Sequence, residues 1–157
     1  MGLTGIGPSE TAQRSICSKQ NGGLLGYCTI EDLGKYPFEL GVNLMAEHQS
    51  QGIGPEAITA FMRGIEKITG PVKFLARIQS GNSRSQRMFR KLGFLPAGID
   101  TFLIDDPEML AKFEEMQLDR IDDSLCALAK EFGVAPRKLL SHLLMFKRPI
   151  SQQANSR

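Results

Sequence analysis

The chain has 157 residues, 41% of them hydrophobic, and a net charge of +2. That composition fits one domain, or one small domain with an appendage, with enough apolar material to bury a core. The charge is too small to argue for nucleic acid by itself, no apolar run approaches a membrane span, and three scattered cysteines (Cys17, Cys28, Cys126) fit neither a disulfide framework nor a zinc site.

In chain order, residues 1–12 are rich in Gly, Ser and Pro and read as loose. Their start, Met1-Gly2-Leu3-Thr4-Gly5-Ile6, lacks the charged region and apolar core of a secretory leader. Ile6 also stands where a myristoylation signal has Ser or Thr. A cytoplasmic protein with reduced thiols is expected. Residues 14–19 and 24–30 read as strands joined by a hairpin turn at Gln20-Asn21-Gly22-Gly23. Residues 38–45 read as a third strand, with Gly41 as a bulge. A helix then starts with Pro55 and carries Ile58, Phe61, Met62, Ile65 and Ile68 on one stripe. Gly70-Pro71 stops it. A buried strand over residues 72–78, a helix over 83–92 capped by Asn82, and a strand over 94–104 complete an α/β pattern with a mixed sheet.

After Asp105 the pattern changes to helices. Asp106-Pro107 starts one with Met109, Leu110, Phe113 and Met116 inward. A second carries Ile121, Leu125, Leu128 and Phe132 and ends at Gly133 as its left-handed cap. A third starts at Pro136 with Leu139, Leu140, Leu143, Leu144 and Phe146. The expected organisation is an α/β domain over residues 1–105, an all-α appendage of about three helices over 106–150 and a frayed tail over 151–157.

The stretch most suggestive of chemistry is Gln49-Ser50-Gln51-Gly52-Ile53-Gly54, between a strand and a helix. A glycine-rich turn there leaves several N–H groups pointing one way at the positive end of a helix dipole. That is a seat for a phosphate or pyrophosphate. The same glycines are also consistent with nothing more than a tight turn.

The spacing Gln49-x-x-Gly52-x-Gly54 resembles the acetyl-CoA loop of the GNAT family of N-acetyltransferases. A second segment, Asn82-Ser83-Arg84-Ser85-Gln86-Arg87-Met88-Phe89-Arg90-Lys91-Leu92-Gly93-Phe94, resembles that family's later motif through Asn82, Ser85, Phe89, Lys91, Gly93 and Phe94. Phe38-Glu39-Leu40-Gly41-Val42 resembles the strand before the loop in the branch that acetylates ribosomal-protein N-termini. The resemblance spans residues 22–104. It implies an α/β (α+β) fold, a mixed, mostly antiparallel sheet flanked by helices. Before the hairpin it leaves no room for the strand and two helices that the family places there, so the domain is expected to be N-terminally shortened. The C-terminal helices or a second protomer, as in a homodimer, would then cover the exposed sheet face.

The resemblance also implies acetyl-CoA as co-substrate, no metal, and direct acetyl transfer to a primary amine, on a protein N-terminus or a small molecule. The amides of Gln51, Gly52, Ile53 and Gly54 would hold the pyrophosphate with Gln49 beside them. The backbone of Val42 and Leu44 would pair with the pantetheine arm. Asn82, Ser85 and Phe89 share one helix face toward the cofactor, and one or two of Arg84, Arg87, Arg90 and Lys91, Arg87 first, are candidates for the 3′-phosphate. Glu39 is the candidate base, with Glu47 as the alternative set too far along toward the turn, and Ser85 is the hydroxyl nearest the leaving sulfur; Phe89 stands where many relatives have Tyr and cannot donate a proton. Each residue also has a plain role: Asn82 as an N-cap, Ser85 as a packing residue, Glu39 as a solvated strand side chain. His48 and His142 read as surface residues, so metal has little support.

Two other readings compete. One is a non-catalytic acyl-CoA-binding or regulatory module, motivated by the shortened start and Phe89. The other is a helix-turn-helix DNA-binding regulator, with Arg137, Lys138, Ser141 and His142 on a recognition helix. Acidic and basic residues balance from residue 106 onward, which disfavours DNA.

Overall fold

The structure, a computed structural model, describes residues 10–101 and 104–150. The tail expected to fray, and most of the loose start, lie outside the described residues. Six strands hydrogen-bond in the order β1-β2-β3-β4-β6-β5: β1 (Ala12–Cys17), β2 (Leu24–Ile30), β3 (Phe38–Leu44), β4 (Phe74–Ile78), β5 (Leu95–Thr101) and β6 (His142–Arg148). The helices are α1 (Ile53–Thr69), α2 (Ser83–Lys91), α3 (Pro107–Glu115) and α4 (Asp123–Phe132). Antiparallel pairing joins β1 to β2, β2 to β3 and β5 to β6, and β3 to β4 is parallel, so the mixed, mostly antiparallel α/β sheet is the one expected. The chain forms two compact units, one up to Leu75 with the segment from Pro149, the other Ala76–Arg148.

In the first unit, Gly22 at φ 71° closes the β1–β2 turn, with Ser18 N–H donating to Gly23 O at 2.8 Å. No bulge lies at Gly41: the β2–β3 ladder runs regularly from Gly26↔Leu44 to Ile30↔Leu40, and the irregularity falls at Ile16/Cys17 instead. Gly41 serves a different purpose. Thr29, opposite it, donates its hydroxyl to Glu31 Oε1, and a Cβ on Gly41 would lie 2.6 Å from the Thr29 oxygen. The other sheet face buries Cys28, Ile30 and Leu40, and α1 buries Ile58, Met62 and Ile65. Ile68, expected on the same stripe, is 87% exposed. At about 100° per residue it sits about 80° around from Ile58, at the stripe's edge. Helix α1 also begins at Ile53 rather than Pro55, so the proline occupies the third helical position, where a missing N–H still costs nothing.

Burial pushes the Cys28 thiol up to about 11, while Cys17 and Cys126 are exposed. A maleimide added at pH 8 should therefore label two thiols quickly and the third only on unfolding, as counted by mass spectrometry. Fast labelling of all three would contradict the packing of β2.

The second unit is built around aromatic and leucine side chains: Phe74 aside, the least exposed are Phe94, Leu139, Leu144 and Phe146, each worth about 1.5–3 kcal/mol when buried. Phe89 meets Phe94 edge-on at 4.9 Å, and Phe132 meets Phe146 at 5.4 Å. The third helix expected from Pro136 is a 3₁₀ turn, Pro136–Leu140, followed by β6. In β6 the buried residues Leu144 and Phe146 alternate with half-buried Met145 and exposed Lys147, a period of two. Its ladder with β5, Leu144↔Ile99 and His142↔Thr101, comes from more than forty residues away in sequence, which local leucine spacing cannot reveal. The segment after residue 105 is therefore not all helical. The helix-turn-helix reading loses its recognition helix with it.

Helix α3 starts as expected, with Asp106 accepting from the Glu108 and Met109 amides and Pro107 in its first turn. Its inward face differs. Met109, Phe113 and Met116 are 54%, 47% and 82% exposed, and Glu114 is 1% exposed. Ser141 Oγ, Arg137 Nε and Lys138 Nζ donate to the Glu114 carboxylate at 2.6, 2.8 and 3.3 Å. Burial raises the Glu114 pKa, but these donors outweigh it and hold the carboxyl below the usual glutamate value. Helix α4 ends at Gly133, φ 68°, with Val134 N–H on Ala129 O at 3.0 Å, as expected, but Asp122 caps its start, so Ile121, expected on this helix, lies before it.

Candidate functional site

Two backbone bonds fix which way β3 presents its groups. Met45 N–H donates to Leu25 O at 2.9 Å and Glu31 N–H to Glu39 O at 3.0 Å. In an antiparallel ladder, hydrogen-bonded and non-bonded pairs alternate, so residues 39, 41, 43 and 45 turn their backbone groups toward β2. Val42 and Leu44 turn theirs to the opposite edge. The ladder on that edge pairs only Phe38 with Phe74 and Glu39 with Leu75. Leu44 O is taken by Gln49 Nε2 at 3.1 Å. The Val42 amide and carbonyl and the Leu44 amide are thus on an open strand edge, and Gln49 acts by tying the loop to the end of that strand.

The loop follows through a 3₁₀ turn, Ala46–His48, in which His48 is half-buried. Ser50 has φ 62° and Gly52 φ 79°. A non-glycine residue at positive φ is uncommon and marks a backbone held for a purpose. Gly52, left-handed, passes directly into right-handed Ile53, and such an alternation turns successive N–H groups to one side. Among the described hydrogen bonds, none uses the amides of residues 50–54 as donor. Gln51 spends its side chain on Glu47 O at 2.9 Å, leaving its backbone as its offering. Gly54 is buried, and Pro55 contributes no N–H. Glu39 is half-buried on the face it shares with Gly41 and Asn43, away from Leu40 and the α1 side.

In the second unit, the turn before α2 is held from several sides. The buried Gln86 amide donates to Gln79 O at 3.2 Å and Ser80 O at 2.9 Å. Asn82 caps the helix by accepting from Ser85 N–H at 3.1 Å. Asn82 is exposed, Ser85 half-buried, and Arg87 exposed with no described partner. Phe89, 4% exposed and packed on Phe94, is a core ring, so little of it is available to a cofactor. Arg90 is bound to both Glu131 oxygens and lies 5.1 Å over Phe146, so it is structural. His142, taken from sequence as a surface helix residue, instead opens β6 beside Ser141. The Ser141–Glu114 pair that anchors it joins residues 27 apart, which no local pattern signals.

Among the described residues, no helix is long and apolar enough to cross a membrane, and no three His, Cys, Asp or Glu residues gather for a metal. The family model described as an acetyltransferase (GNAT) domain matches residues 7–95. No sequence among curated proteins matches the chain. Among solved structures, spermidine N-acetyltransferase of Vibrio cholerae, in a variant form, superposes with a TM-score of 0.60 at 12% identity, covering 92% of this chain and 69% of that one. The ribosomal-protein-S5-alanine acetyltransferase of Vibrio fischeri gives 0.59 at 14% identity, covering 90% and 62%. The ribosomal-protein-alanine N-acetyltransferase of Brucella melitensis gives 0.53 at 18% identity, covering 86% and 67%. At these identities the likeness is one of fold, and the chain spans about two thirds of their length or less.

Proposed function

The chain belongs to the GNAT family of acetyltransferases, and on that premise we propose that it transfers an acetyl group from acetyl-CoA directly to a primary amine. The observation that carries the reading is the set of unpartnered amides at residues 50–54, continuous with the open edge at Val42 and Leu44. The amides of residues 51–54 hold the pyrophosphate, with one donor lost at Pro55. Val42 and Leu44 receive the pantetheine arm as an added strand, and one of their amides polarises the thioester carbonyl. Asn82 and Ser85 contact the cofactor, and Arg87 meets its 3′-phosphate as a salt-sensitive point charge.

An amine must shed protons to become an amide. Glu39, on β3, takes a proton from the ammonium so that the neutral nitrogen can attack, and the second proton leaves to water as the carbon–nitrogen bond forms. Phe89 cannot return a proton to the leaving sulfur, so that proton comes from the Ser85 hydroxyl or from water. Names of neighbouring structures mention spermidine and ribosomal proteins, and neither acceptor is carried over at these identities. Phe89 favours one second reading, a module that binds acyl-CoA without turnover. Thiol release measured across a panel of amines separates the two: release with at least one amine is expected, and binding of acetyl-CoA with no release from any amine leaves the module.

The loop has its own test. Gly52 has open space around a built Cβ, so replacing it acts through φ alone. A left-handed backbone costs an ordinary residue about 1–2 kcal/mol, and Asn tolerates it better than Ala. Gly52→Ala should weaken acetyl-CoA binding about 5- to 30-fold by calorimetry, and Gly52→Asn clearly less. Equal losses would mean that the conformation is irrelevant.

A further inference from the structure

A groove of about 660 Å³ in the second unit has a ligand-sized volume and no role yet. Its apolar walls are Phe113, Leu125, Leu128 and Leu140. Its charged and titratable groups are Arg120, Asp122 and His142. Asp122 already accepts from the Leu125 amide at 2.8 Å, and Arg120 donates to Gln117 Oε1 at 2.7 Å.

His142 is held in one tautomer. Its Nδ1 lies 3.0 Å from Lys138 O, which can only accept, so Nδ1 carries the proton. The same N–H reaches Ser141 Oγ at 2.7 Å, and Ser141 donates its hydroxyl hydrogen bond to Glu114 at 2.6 Å. In that tautomer Nε2 carries the lone pair and has no described partner, on a ring that lines the groove. A fixed acceptor and a single carboxylate lining one groove, with apolar walls, are complementary to a cation with an apolar body. A second ammonium would find no second carboxylate and would meet Arg120.

The rim of the groove is the turn of residues 79–83, which Ser80 ties to Leu139 O at 2.9 Å. That turn leads into the helix of Asn82 and Ser85. We propose that this groove seats the acceptor, a monoamine with a compact apolar body, whose ammonium donates a hydrogen bond to His142 Nε2. The inference rests on the acetyl-transfer reading above. His142 is a binding residue here, and the Ser141–Glu114 pair positions it.

The test is calorimetry on the full chain with three probes: 2-phenylethylamine, spermidine and acetyl-CoA. The phenyl monoamine should bind at least tenfold tighter than spermidine. Leu128→Arg, which fills and charges the groove, and His142→Asn, which can keep an N–H for Lys138 O but has no Nε2, should each weaken it at least tenfold. Acetyl-CoA affinity should stay unchanged in both. In the wild type, the His142 ring nitrogen resonance should move when the amine is added, which needs neither variant. Acetyl-CoA binding without 2-phenylethylamine binding, undiminished amine binding in either variant, or an unmoved resonance overturns the groove assignment alone. Loss of acetyl-CoA binding by the wild type overturns the transfer reading and this inference with it.

Discussion

Glu39→Gln is expected to lower kcat about 10²-fold or more at neutral pH while leaving acetyl-CoA affinity within twofold. The residue lies on β3, whose backbone also carries the open groups at Val42 and Leu44, and its own carbonyl is fixed by the Glu31 amide at 3.0 Å. Glutamine keeps the size and a hydrogen-bonding oxygen but cannot take a proton. The defect should shrink as pH rises, because an α-amine with a pKa of about 8 then becomes neutral without help. Rates measured from pH 7 to pH 10 check this. A constant deficit across that range would point to a structural role, and an unchanged kcat would remove Glu39 from the chemistry.

Arg137→Ala is expected to destabilise the second unit by about 3 kcal/mol, more than Glu114→Gln does. Glu114 is buried, whereas its two cations keep 43% and 50% of their side-chain exposure. Removing Arg137 strands a buried carboxylate with Ser141 and Lys138 alone. Removing the carboxylate charge lets both cations rehydrate. Because the folded Glu114 pKa lies below its unfolded value of about 4.3, its contribution is complete above that pH and is lost as the pH falls through the lower, folded value. Glu114→Gln should therefore flatten the acid limb of the stability curve. Urea unfolding at pH 7 and at pH 4 reads both effects, and a change below about 0.5 kcal/mol in Arg137→Ala at pH 7 would contradict the buried-carboxylate account.

The parts of this fold written in local chemistry were legible in the sequence. Asn82 and Asp106 cap the helices they precede, Gly133 ends α4, and Gly22 turns the first hairpin. The loop of Gln49, Gly52 and Gly54 was legible as a glycine turn opening a helix, although the helix starts at Ile53. What escaped depends on distant partners. Leu139 and Leu140 fall in the 3₁₀ turn and Leu143, Leu144 and Phe146 in β6, where burial alternates at Leu144 and Phe146, and pairing with distant strands decides for the strand. Helix α3 turns Glu114 inward because Arg137, Lys138 and Ser141 meet it, and the apolar stripe of Met109, Phe113 and Met116 carries no trace of those donors. Phe89 matched a cofactor motif in sequence, yet its ring belongs to the core with Phe94. The Gly41 bulge failed for a similar reason: the glycine makes room for Thr29 and Glu31 across the ladder.

The most direct measurement is an amide chemical-shift map of the full chain titrated with acetyl-CoA. Saturable shifts at the amides of residues 51–54 (Pro55 having none), together with Val42 and Leu44, are the predicted result. Binding that leaves those amides unmoved, or no binding at millimolar ligand, would contradict the seat on which the function rests.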